Sequence, residues 1–301
     1  MIDGATDITE SAQAKVNLDL LVVGRREDGY HELDSLVVFA DPADRLTFRP
    51  ADDWTIDGAG PFAASLPEMS DNIVHRAAEL LAREAGAGRP QRIALEKNLP
   101  VASGIGGGSS DAAATMRGLR RCWSLALDDE TMRDIGLQLG ADVPVCLFGR
   151  PARMRGIGER LDPVRGLPEI PMLLVNPGFG VSTGSVFRNL DLDGDALFRP
   201  QMPMGMSLVQ FAVWLQASRN DLEPPALAVE PRIAHVLEAL RALPDVIVAR
   251  MSGSGATCFA IFRTMYSARD AEAILRRNEP GWWVHASMAG ETAKAPGMRS
   301  A

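Results

Sequence analysis

The decisive stretch of this 301-residue chain is LPVASGIGGGSSDAAA, residues 99–114, where glycines and serines lie between a proline and an alanine run. Glycine loses more backbone freedom on folding than any other residue, so a run of glycines is costly to order. Ser109, Ser110 and Asp111 are typical helix N-cap residues, and the pattern therefore predicts a helix that begins where the glycines end. A helix N-terminus that follows a side-chain-free loop is suited to bind an anion. We interpret the stretch as a phosphate-binding loop, with a plain turn as the alternative.

Two familiar nucleotide-binding motifs do not fit this stretch. A Walker loop would end in Gly-Lys followed by Ser or Thr, whereas the only lysines of the chain are Lys15, Lys97 and Lys294. The dinucleotide-binding fingerprint would have a third glycine where Ser109 stands, after a buried strand that the preceding residues do not form. If the loop holds a triphosphate, the missing positive charge must come from Mg²⁺ and from residues elsewhere in the chain.

Composition and charge argue against several classes of function. The net charge is −8 and no basic cluster dominates, which argues against nucleic acid or an anionic membrane as the main partner. No apolar run approaches the roughly 18 residues of a membrane-spanning helix. The N-terminus lacks the pattern of a secretory signal, so we expect a cytoplasmic protein. The cysteines (122, 146 and 258) and histidines (31, 75, 235 and 285) lack the spacing of a disulfide framework or a zinc site.

Strand and helix patterns alternate along the whole chain, which predicts an α+β protein. Residues 15–24 (KVNLDLLVVG) have the composition of one strand. Residues 31–40 and 44–50 have that of two strands separated by the turn DPAD.

Prolines and glycines in FGRPARMRGIG, residues 148–158, indicate a boundary between two parts of the chain. We therefore expect one domain over residues 1–155 and a second over residues 156–301. Residues 191–206 have the composition of a loop.

The glycine stretch resembles the phosphate-binding motif of the GHMP kinases, the family of galactose, homoserine, mevalonate and phosphomevalonate kinases. Two further motifs of that family occur in the same order, AKVNL at residues 14–18 and MSGSGATCFAIF at residues 251–262. Other segments resemble the branch of the family that acts on 4-diphosphocytidyl-2-C-methyl-D-erythritol. They are GRREDGYHELDSL (24–36), SDNIVHRAA (70–78), LGADVPVCLFG (139–149), GIGERL (156–161) and PGFGVSTGSVF (177–187). Each segment is moderately specific, but all of them in this order and spacing are highly specific.

The resemblance implies a two-domain GHMP kinase fold, with an N-terminal half like domain 2 of ribosomal protein S5 and a ferredoxin-like C-terminal half. It also implies ATP and Mg²⁺ as cofactors, and a small-molecule substrate phosphorylated on its 2-hydroxyl in the non-mevalonate isoprenoid pathway. We expect a monomer or weak homodimer that binds neither nucleic acid nor membrane. The residues implied to bind ATP at the loop are Pro100, Val101, Ala102, Ser103, Gly104, Ile105, Gly106, Gly107, Gly108, Ser109 and Ser110. The last two are interpreted as ligand contacts, as helix caps, or as both.

The same resemblance implies that Asp142 is the catalytic base and that Lys15 is the catalytic lysine beside it. From the pattern alone, Asp142 is more typical of a turn or helix cap, and Lys15 of a solvated strand end. A carboxylate in such a turn is nevertheless well placed to accept a proton from a hydroxyl. A nearby ammonium would keep it ionised and offset charge on the transferred phosphoryl group. Asn17, on the same strand face as Lys15, is expected to orient the substrate hydroxyl.

A further group of residues is implied to hold the cytosine of the substrate. Tyr30 and Phe187 are expected to stack on the ring, and His31 to hydrogen-bond its edge. Thr183 is assigned to the same end of the substrate.

Two more segments complete the implied ATP site. Asn72 and Lys97 are implied to contact adenine, although capping of a helix explains Asn72 at least as well. Gly253 and Gly255 are expected to let the MSGSG turn lie against the phosphate loop.

Two alternative functions stay open at this point. A GHMP kinase acting on homoserine or mevalonate would have no use for side chains that recognise cytosine. A non-catalytic nucleotide-binding protein on the same scaffold would not need both Lys15 and Asp142.

Overall fold

The computed structural model describes residues 7–191, 202 and 205–290. Within them, eleven strands form one mixed sheet and the helices pack against it, which confirms the α+β class. The strands are β1 (Ile8–Asn17), β2 (Leu21–Arg25), β3 (His31–Pro50), β4 (Thr55–Ala59), β5 (Gln91–Glu96), β6 (Ala152–Gly156), β7 (Arg160–Pro163), β8 (Ile170–Asn176), β9 (Val246–Met251), β10 (Cys258–Phe262) and β11 (Trp283–Ala289). The helices are α1 (Ile73–Ala85), α2 (Gly107–Cys122), α3 (Asp129–Leu137), α4 (Val143–Phe148), α5 (Thr183–Arg188), α6 (Leu208–Gln216), α7 (Glu223–Val229), α8 (Ile233–Arg241) and α9 (Met265–Asn278).

β3 is the strand on which the sheet is built, because five other strands pair with it. β1, β2, β5 and β6 pair with it in antiparallel register, and β11 joins it through the pair Ala289–Ala40. β8, β10 and β9 follow β11 in the sheet, so strands from both halves of the chain share it. A length of 20 residues lets β3 pair with different partners along its course.

The turn expected at residues 41–44 (DPAD) is wrong, since β3 continues through it. The pairing with β1 is irregular there. Gln13 and Ala14 pair with positions three apart on β3, which leaves Asp41 and Pro42 as a bulge. Proline has no N–H to donate and is tolerated in a strand at such an irregularity. Turn-forming residues here mark a bulge in a long strand, not a reversal of the chain.

The single strand expected over residues 15–24 is in fact the end of β1 followed by β2. Between them the chain bends around the buried carboxylate of Asp19. This carboxylate accepts hydrogen bonds from the backbone N–H of Leu36 and the hydroxyl of Ser218. The bend is thus held by a buried polar group whose hydrogen bonds are satisfied.

Three groups of buried side chains hold the helices on the sheet. The first lies between α1–α4 and the strands β1, β3 and β5, and the second between α7–α9 and the strands β8 and β10. The third joins β1 and β3 to β8, β10 and α6, so it connects the N-terminal and C-terminal parts of the chain. The domain boundary at residue 155 stays a prediction. Of the loop expected over residues 191–206, residues 192–201, 203 and 204 lie outside the described part of the chain.

In the described ranges, no helix combines the length and the apolar character that crossing a membrane requires.

Close packing of α2 on β3 predicts that Gly118 cannot be enlarged without cost. A methyl group at this position would lie 2.3 Å from Cε2 of Phe48, a fully buried side chain. We expect Gly118→Ala to lower the free energy of unfolding by about 1–3 kcal/mol through overpacking, as measured by urea denaturation. Gly184→Ala in α5 is the helical control, because its methyl group would meet only the end of Arg188, at 3.5 Å. Equal stability of the two variants would contradict the close packing.

Candidate active site

A cavity of 1320 Å³ opens beside the glycine loop. Its walls come from that loop, the start of β3, the residues before α4, the segment around α5 and the turn between β9 and β10. These segments are far apart in sequence and only the fold brings them together. A concave site of this kind is the usual location of a small ligand.

The loop enters α2 earlier than the sequence suggested. Gly106 is the N-cap, in the left-handed conformation with φ of 65°, and α2 begins at Gly107. The caps expected at Ser109, Ser110 and Asp111 are therefore wrong, because glycine alone makes the turn into the helix. Ser110 instead donates its hydroxyl to the carbonyl of Gln13, at 2.7 Å. The helix begins with small residues, and its first N–H groups have no intrahelical acceptor.

Most of the loop residues expected to bind ATP line the cavity. Those that do are Val101, Ala102, Ser103, Gly104, Gly106, Gly107, Gly108 and Ser109. Pro100, Ile105 and Ser110 lie behind them. Ile105 is a buried core residue whose carbonyl accepts the backbone N–H of Lys15, and the carbonyl of Pro100 accepts the hydroxyl of Ser103. These three residues shape the loop from inside.

The turn between β9 and β10 lies directly against the glycine loop, as the resemblance implied. A methyl group at Gly104 would lie 2.6 Å from the carbonyl oxygen of Gly255 and 2.7 Å from that of Ser252. The Ser252 hydroxyl donates to the Gly104 carbonyl at 3.2 Å and accepts the backbone N–H of Asn17 at 3.1 Å. Two glycine turns and β1 are thereby joined at one point.

Lys15 and Asp142 form an ion pair inside the cavity, with 2.8 Å between Nζ and Oδ2. The Lys15 side chain is only 3% exposed, so the interpretation as a solvated strand end is wrong. Asp142 occupies the N-cap position of α4, but its side chain makes no capping hydrogen bond. Its carboxylate is 36% exposed and faces both the ammonium and the cavity.

Asn17 holds the ammonium from the other side. Lys15 Nζ donates to Asn17 Oδ1 at 2.7 Å, and Asn17 Nδ2 donates to the hydroxyl of Ser35 at 2.7 Å. Ser35 in turn donates to the carbonyl of Asp19. This chain of buried hydrogen bonds fixes the position of Lys15 relative to Asp142.

His31 and Phe187 form the aromatic end of the cavity. Their rings are stacked with centroids 5.0 Å apart, whereas the ring of Tyr30 is 59% exposed at the rim. Burial, together with the neighbouring guanidinium of Arg25, lowers the pKa of His31, so its ring is neutral at physiological pH. Thr183 lies close by, with its hydroxyl 2.8 Å from that of Ser254. All four predicted residues line the same cavity as Lys15 and Asp142.

Asn72 and Lys97, the residues expected to contact adenine, also lie outside the lining of the cavity. Asn72 caps α1, since its Oδ1 accepts the backbone N–H of Val74 at 2.9 Å. The ammonium of Lys97 is buried and hydrogen-bonded to Asp44 and Asp111. Both side chains are therefore occupied within the protein.

Known proteins are similar in sequence to this chain over most of its length. A model of the GHMP kinases N terminal domain matches residues 72–150, and one of the GHMP kinases C terminal matches residues 207–281. The 4-diphosphocytidyl-2-C-methyl-D-erythritol kinase of Parvibaculum lavamentivorans is 49% identical over 286 residues, covering 94% of this chain and 98% of the relative. This chain belongs to the GHMP kinase family.

Further relatives narrow its position among the GHMP kinases. The kinase of the same name from Ruegeria pomeroyi is 52% identical over 274 residues, covering 90% of this chain and 95% of the relative. A crystal structure of a 4-(cytidine 5'-diphospho)-2C-methyl-D-erythritol kinase has a TM-score of 0.75 and 36% identity, covering 94% of this chain and 99% of that one. A homoserine kinase from Cytophaga hutchinsonii shares the fold, with a TM-score of 0.71 at 16% identity and 97% coverage of both chains. The GHMP kinase fold is confirmed, and the chain groups with the 4-diphosphocytidyl-2-C-methyl-D-erythritol kinases.

Several residues of this GHMP kinase cavity were missed from the sequence. Arg25 and Asp28 belong to the segment around Tyr30, and Arg188 directly follows Phe187, so proximity to the predicted residues was the available signal. Ile157 belongs to the GIGERL segment (156–161), to which no binding role was assigned from the sequence. It reaches the cavity because the turn after β6 lies against Ala141, where a methyl group at Gly158 would be 2.3 Å from the carbonyl oxygen.

The part of the cavity formed by described residues has few carboxylates. The described residues contain no group of three or more His, Cys, Asp or Glu side chains suited to a metal ion. The carboxylates that line the cavity are Asp28 and Asp142, and each is paired with a basic side chain, Arg26 and Lys15 respectively. Mg²⁺ in kinases is usually bound through substrate phosphates and one or two carboxylates. These residues therefore fit a metal that arrives with a nucleotide better than a resident one.

The contact between the two glycine turns predicts the effect of Gly104→Ala. Because φ is +75° and backbone atoms lie within 3 Å of the new methyl group, the turns must separate. We expect lower stability and a KM for ATP raised by about tenfold or more, since the loop amides are displaced. Gly86→Ala, at the end of α1, is the control for backbone strain alone, since its φ is +59° and no atom would lie within 4 Å. It should cost about 1 kcal/mol of stability and leave the KM for ATP unchanged. An unaltered KM in Gly104→Ala would count against this role of the contact.

Proposed function

We propose that this GHMP kinase transfers the γ-phosphate of ATP to the 2-hydroxyl of 4-diphosphocytidyl-2-C-methyl-D-erythritol, giving the 2-phosphate and ADP in the non-mevalonate isoprenoid pathway. The observation that carries the proposal is the Lys15–Asp142 ion pair, which lies in the same cavity as the glycine loop and the His31–Phe187 stack. The names of the relatives support the same substrate.

The glycine loop and the N-terminus of α2 are proposed to hold the phosphates of ATP. The positive end of the helix dipole and the amides of the first turn favour an anion at this place. Most of the loop residues that line the cavity have small side chains or none, so phosphate oxygens can approach the backbone. Mg²⁺, bound to these oxygens, would supply positive charge to the transferred group. Of the expected contacts, Asn72 and Lys97 are not assigned to adenine, because their side chains are engaged elsewhere.

Asp142 is proposed to take the proton from the attacking hydroxyl. Its carboxylate is partly exposed in the cavity, where a substrate hydroxyl can approach it, and the Lys15 ammonium fixes its position. Lys15 also offsets negative charge that develops on the transferred phosphoryl group. Asn17 would act through Lys15, since its Oδ1 already accepts from the ammonium and its Nδ2 donates to Ser35.

The aromatic end is proposed to bind cytosine. A neutral His31 has one ring nitrogen that donates and one that accepts, which matches the mixed donor and acceptor edge of cytosine. Phe187 offers a stacking face and Tyr30 an exposed ring at the rim. Thr183 would contact the same end. A homoserine or mevalonate kinase would not need these side chains, so this observation favours the cytidyl substrate over those alternatives.

The remaining expectations about the protein stay predictions. They are a cytoplasmic location, a monomeric or weakly dimeric state and the absence of nucleic acid or membrane partners. A non-catalytic nucleotide-binding protein is disfavoured, because the structure brings Lys15 and Asp142 into contact within the cavity.

The decisive test of the substrate is a coupled assay of ADP release with purified protein, ATP and Mg²⁺. We expect turnover with 4-diphosphocytidyl-2-C-methyl-D-erythritol and none with homoserine or mevalonate, because only the first carries the cytidine that the aromatic end fits. Turnover with mevalonate or homoserine alone would reject the proposed substrate, and absence of turnover with all three would reject the proposed activity.

Asp142→Asn tests the role of the base. The amide keeps the shape of the side chain but cannot accept the proton, so we expect turnover to fall by about a hundredfold or more while the protein folds and binds ATP. The melting temperature with and without ATP serves as the control for folding and binding. Near-normal turnover in this variant would remove Asp142 from its proposed role.

A further inference from the structure

Three ionisable side chains lie buried together beneath the glycine loop. Lys97 Nζ donates to Asp44 Oδ2 at 2.5 Å and to Asp111 Oδ2 at 2.6 Å, and each of the three side chains is at most 3% exposed. None of them lines the cavity. We call this cluster of Asp44, Lys97 and Asp111 the clasp.

The clasp contacts both ends of the glycine loop. Lys97 directly precedes the loop, and Asp111 lies in the second turn of α2, which follows it. Asp44 Oδ1 accepts the backbone N–H groups of Asn98 and Leu99, where the chain enters the loop, at 2.6 and 2.8 Å. One ammonium and one carboxylate from β3 therefore hold the entry and the exit of the loop together.

The clasp also lies close to the proposed phosphate site. A methyl group at Gly107, the first residue of α2, would be 3.4 Å from Lys97 Nζ. The net charge of the clasp therefore affects an anion bound at the N-terminus of the helix, since little intervening solvent screens it. With both carboxylates ionised the clasp would carry one net negative charge, which opposes phosphate binding.

The surroundings of Asp111 favour its protonated form. Burial raises the pKa of Asp111 to about 8 and Asp44 adds to the rise, whereas Lys97 opposes it. The Oδ1 atom of Asp111 is buried without a hydrogen-bond partner among the described residues, a place that disfavours a charge. The two carboxylates raise the pKa of Lys97 despite its burial, so the ammonium stays charged. At neutral pH Asp111 therefore carries its proton, which removes one negative charge from the clasp.

We propose that the clasp fixes the glycine loop in its phosphate-binding conformation and that Lys97 acts as a positioning residue within it. The proposal rests on the proposed function, because it takes the loop to hold the phosphates of ATP. Lys97 has this role without touching the nucleotide through its side chain. Asp44 sets the entry of the loop, and Asp111 joins its exit to the same ammonium.

The first test replaces one cation and one carboxylate of the clasp at the same time. Loss of one partner of a buried ion pair leaves an uncompensated charge and strongly destabilises a protein, so Lys97→Met alone would confound folding with function. The double variant Lys97→Met/Asp44→Asn leaves no such charge. We expect this variant to fold, as judged by circular dichroism. We expect its affinity for ATP to be lower by about tenfold or more, as measured by calorimetry in the absence of the phosphoryl-acceptor substrate. Its KM for ATP should rise by a similar factor while that for the acceptor changes by less than about twofold.

A matched control makes the same chemical change at the surface. Arg92 and Asp57 form an exposed ion pair between β5 and β4, with 2.6 Å between Nε and Oδ2. Arg92→Met/Asp57→Asn is expected to bind ATP like the wild type. A clasp variant that binds ATP with wild-type affinity would overturn the proposal, whatever its stability. Failure of the wild-type protein itself to bind ATP would overturn the proposed function instead.

A pH profile tests the charge of the clasp and does not depend on the double variant folding. The charged groups that face Asp111 are Lys97, directly after β5, and Asp44, on β3. As the pH rises through about 8, Asp111 loses its proton and the clasp becomes negative. The KM for ATP of the wild type should therefore rise by about threefold or more between pH 7 and pH 9. Asp111→Asn cannot ionise and should lack this rise. Parallel profiles for the two proteins would overturn the proposal.

Discussion

The pairing of β3 with five strands is the constraint on which the active site depends. β1 carries Lys15 and Asn17, and the register of β1 on β3 sets the position of both residues along the sheet. The beginning of β3 carries His31, and β5, which leads into the glycine loop, pairs with the end of β3. One strand thus determines where the ammonium, the aromatic end and the loop lie relative to one another. A functional site distributed over distant segments can be precise because these segments share a rigid backbone ladder.

The two lysines in the described part of the chain show how one residue type can serve two purposes. Each is buried and ion-paired, Lys15 with Asp142 and Lys97 with Asp44 and Asp111. Lys15 faces the cavity, and a hydrogen bond from the ammonium to Asn17 holds it there. Lys97 faces inward beneath α2. With 28 Arg against 3 Lys in the sequence, guanidinium groups form most ion pairs at the surface.

Segments with several motifs in a fixed order were predicted well from the sequence. The family, the fold and the meeting of Lys15 with the segment of Asp142 followed from such segments, and the comparisons and the structure bear out the family and the proximity. The roles of these residues in catalysis stay predictions. No local pattern showed that Asn72 and Lys97 are engaged within the protein, because the partners of Lys97, Asp44 and Asp111, come from other elements.

Two of the incorrect predictions, the DPAD turn and the helix caps at residues 109–111, have a common physical origin. Residues that favour turns also favour bulges, so DPAD was compatible with both, and only the partner strand β1 decides between them. Serine and aspartate favour helix caps, but a glycine that can adopt a positive φ started α2 one turn earlier. In both cases the residues had the expected local preference. Tertiary contacts then selected one of two structures that satisfy this preference.

The bulge at Asp41 and Pro42 has a consequence for how this strand can change in evolution. In a regular ladder, inserting or deleting one residue moves every later side chain to the opposite face of the sheet. Here the two extra residues separate the half of β3 that pairs with the lysine-bearing end of β1 from the half that pairs with β5. Because the extra residues lie outside the ladder with β1, the two halves of β3 keep separate registers on that strand. Asp41 also accepts the backbone N–H of Met288 at 3.0 Å, so a change of length at the bulge would break a contact with β11 as well.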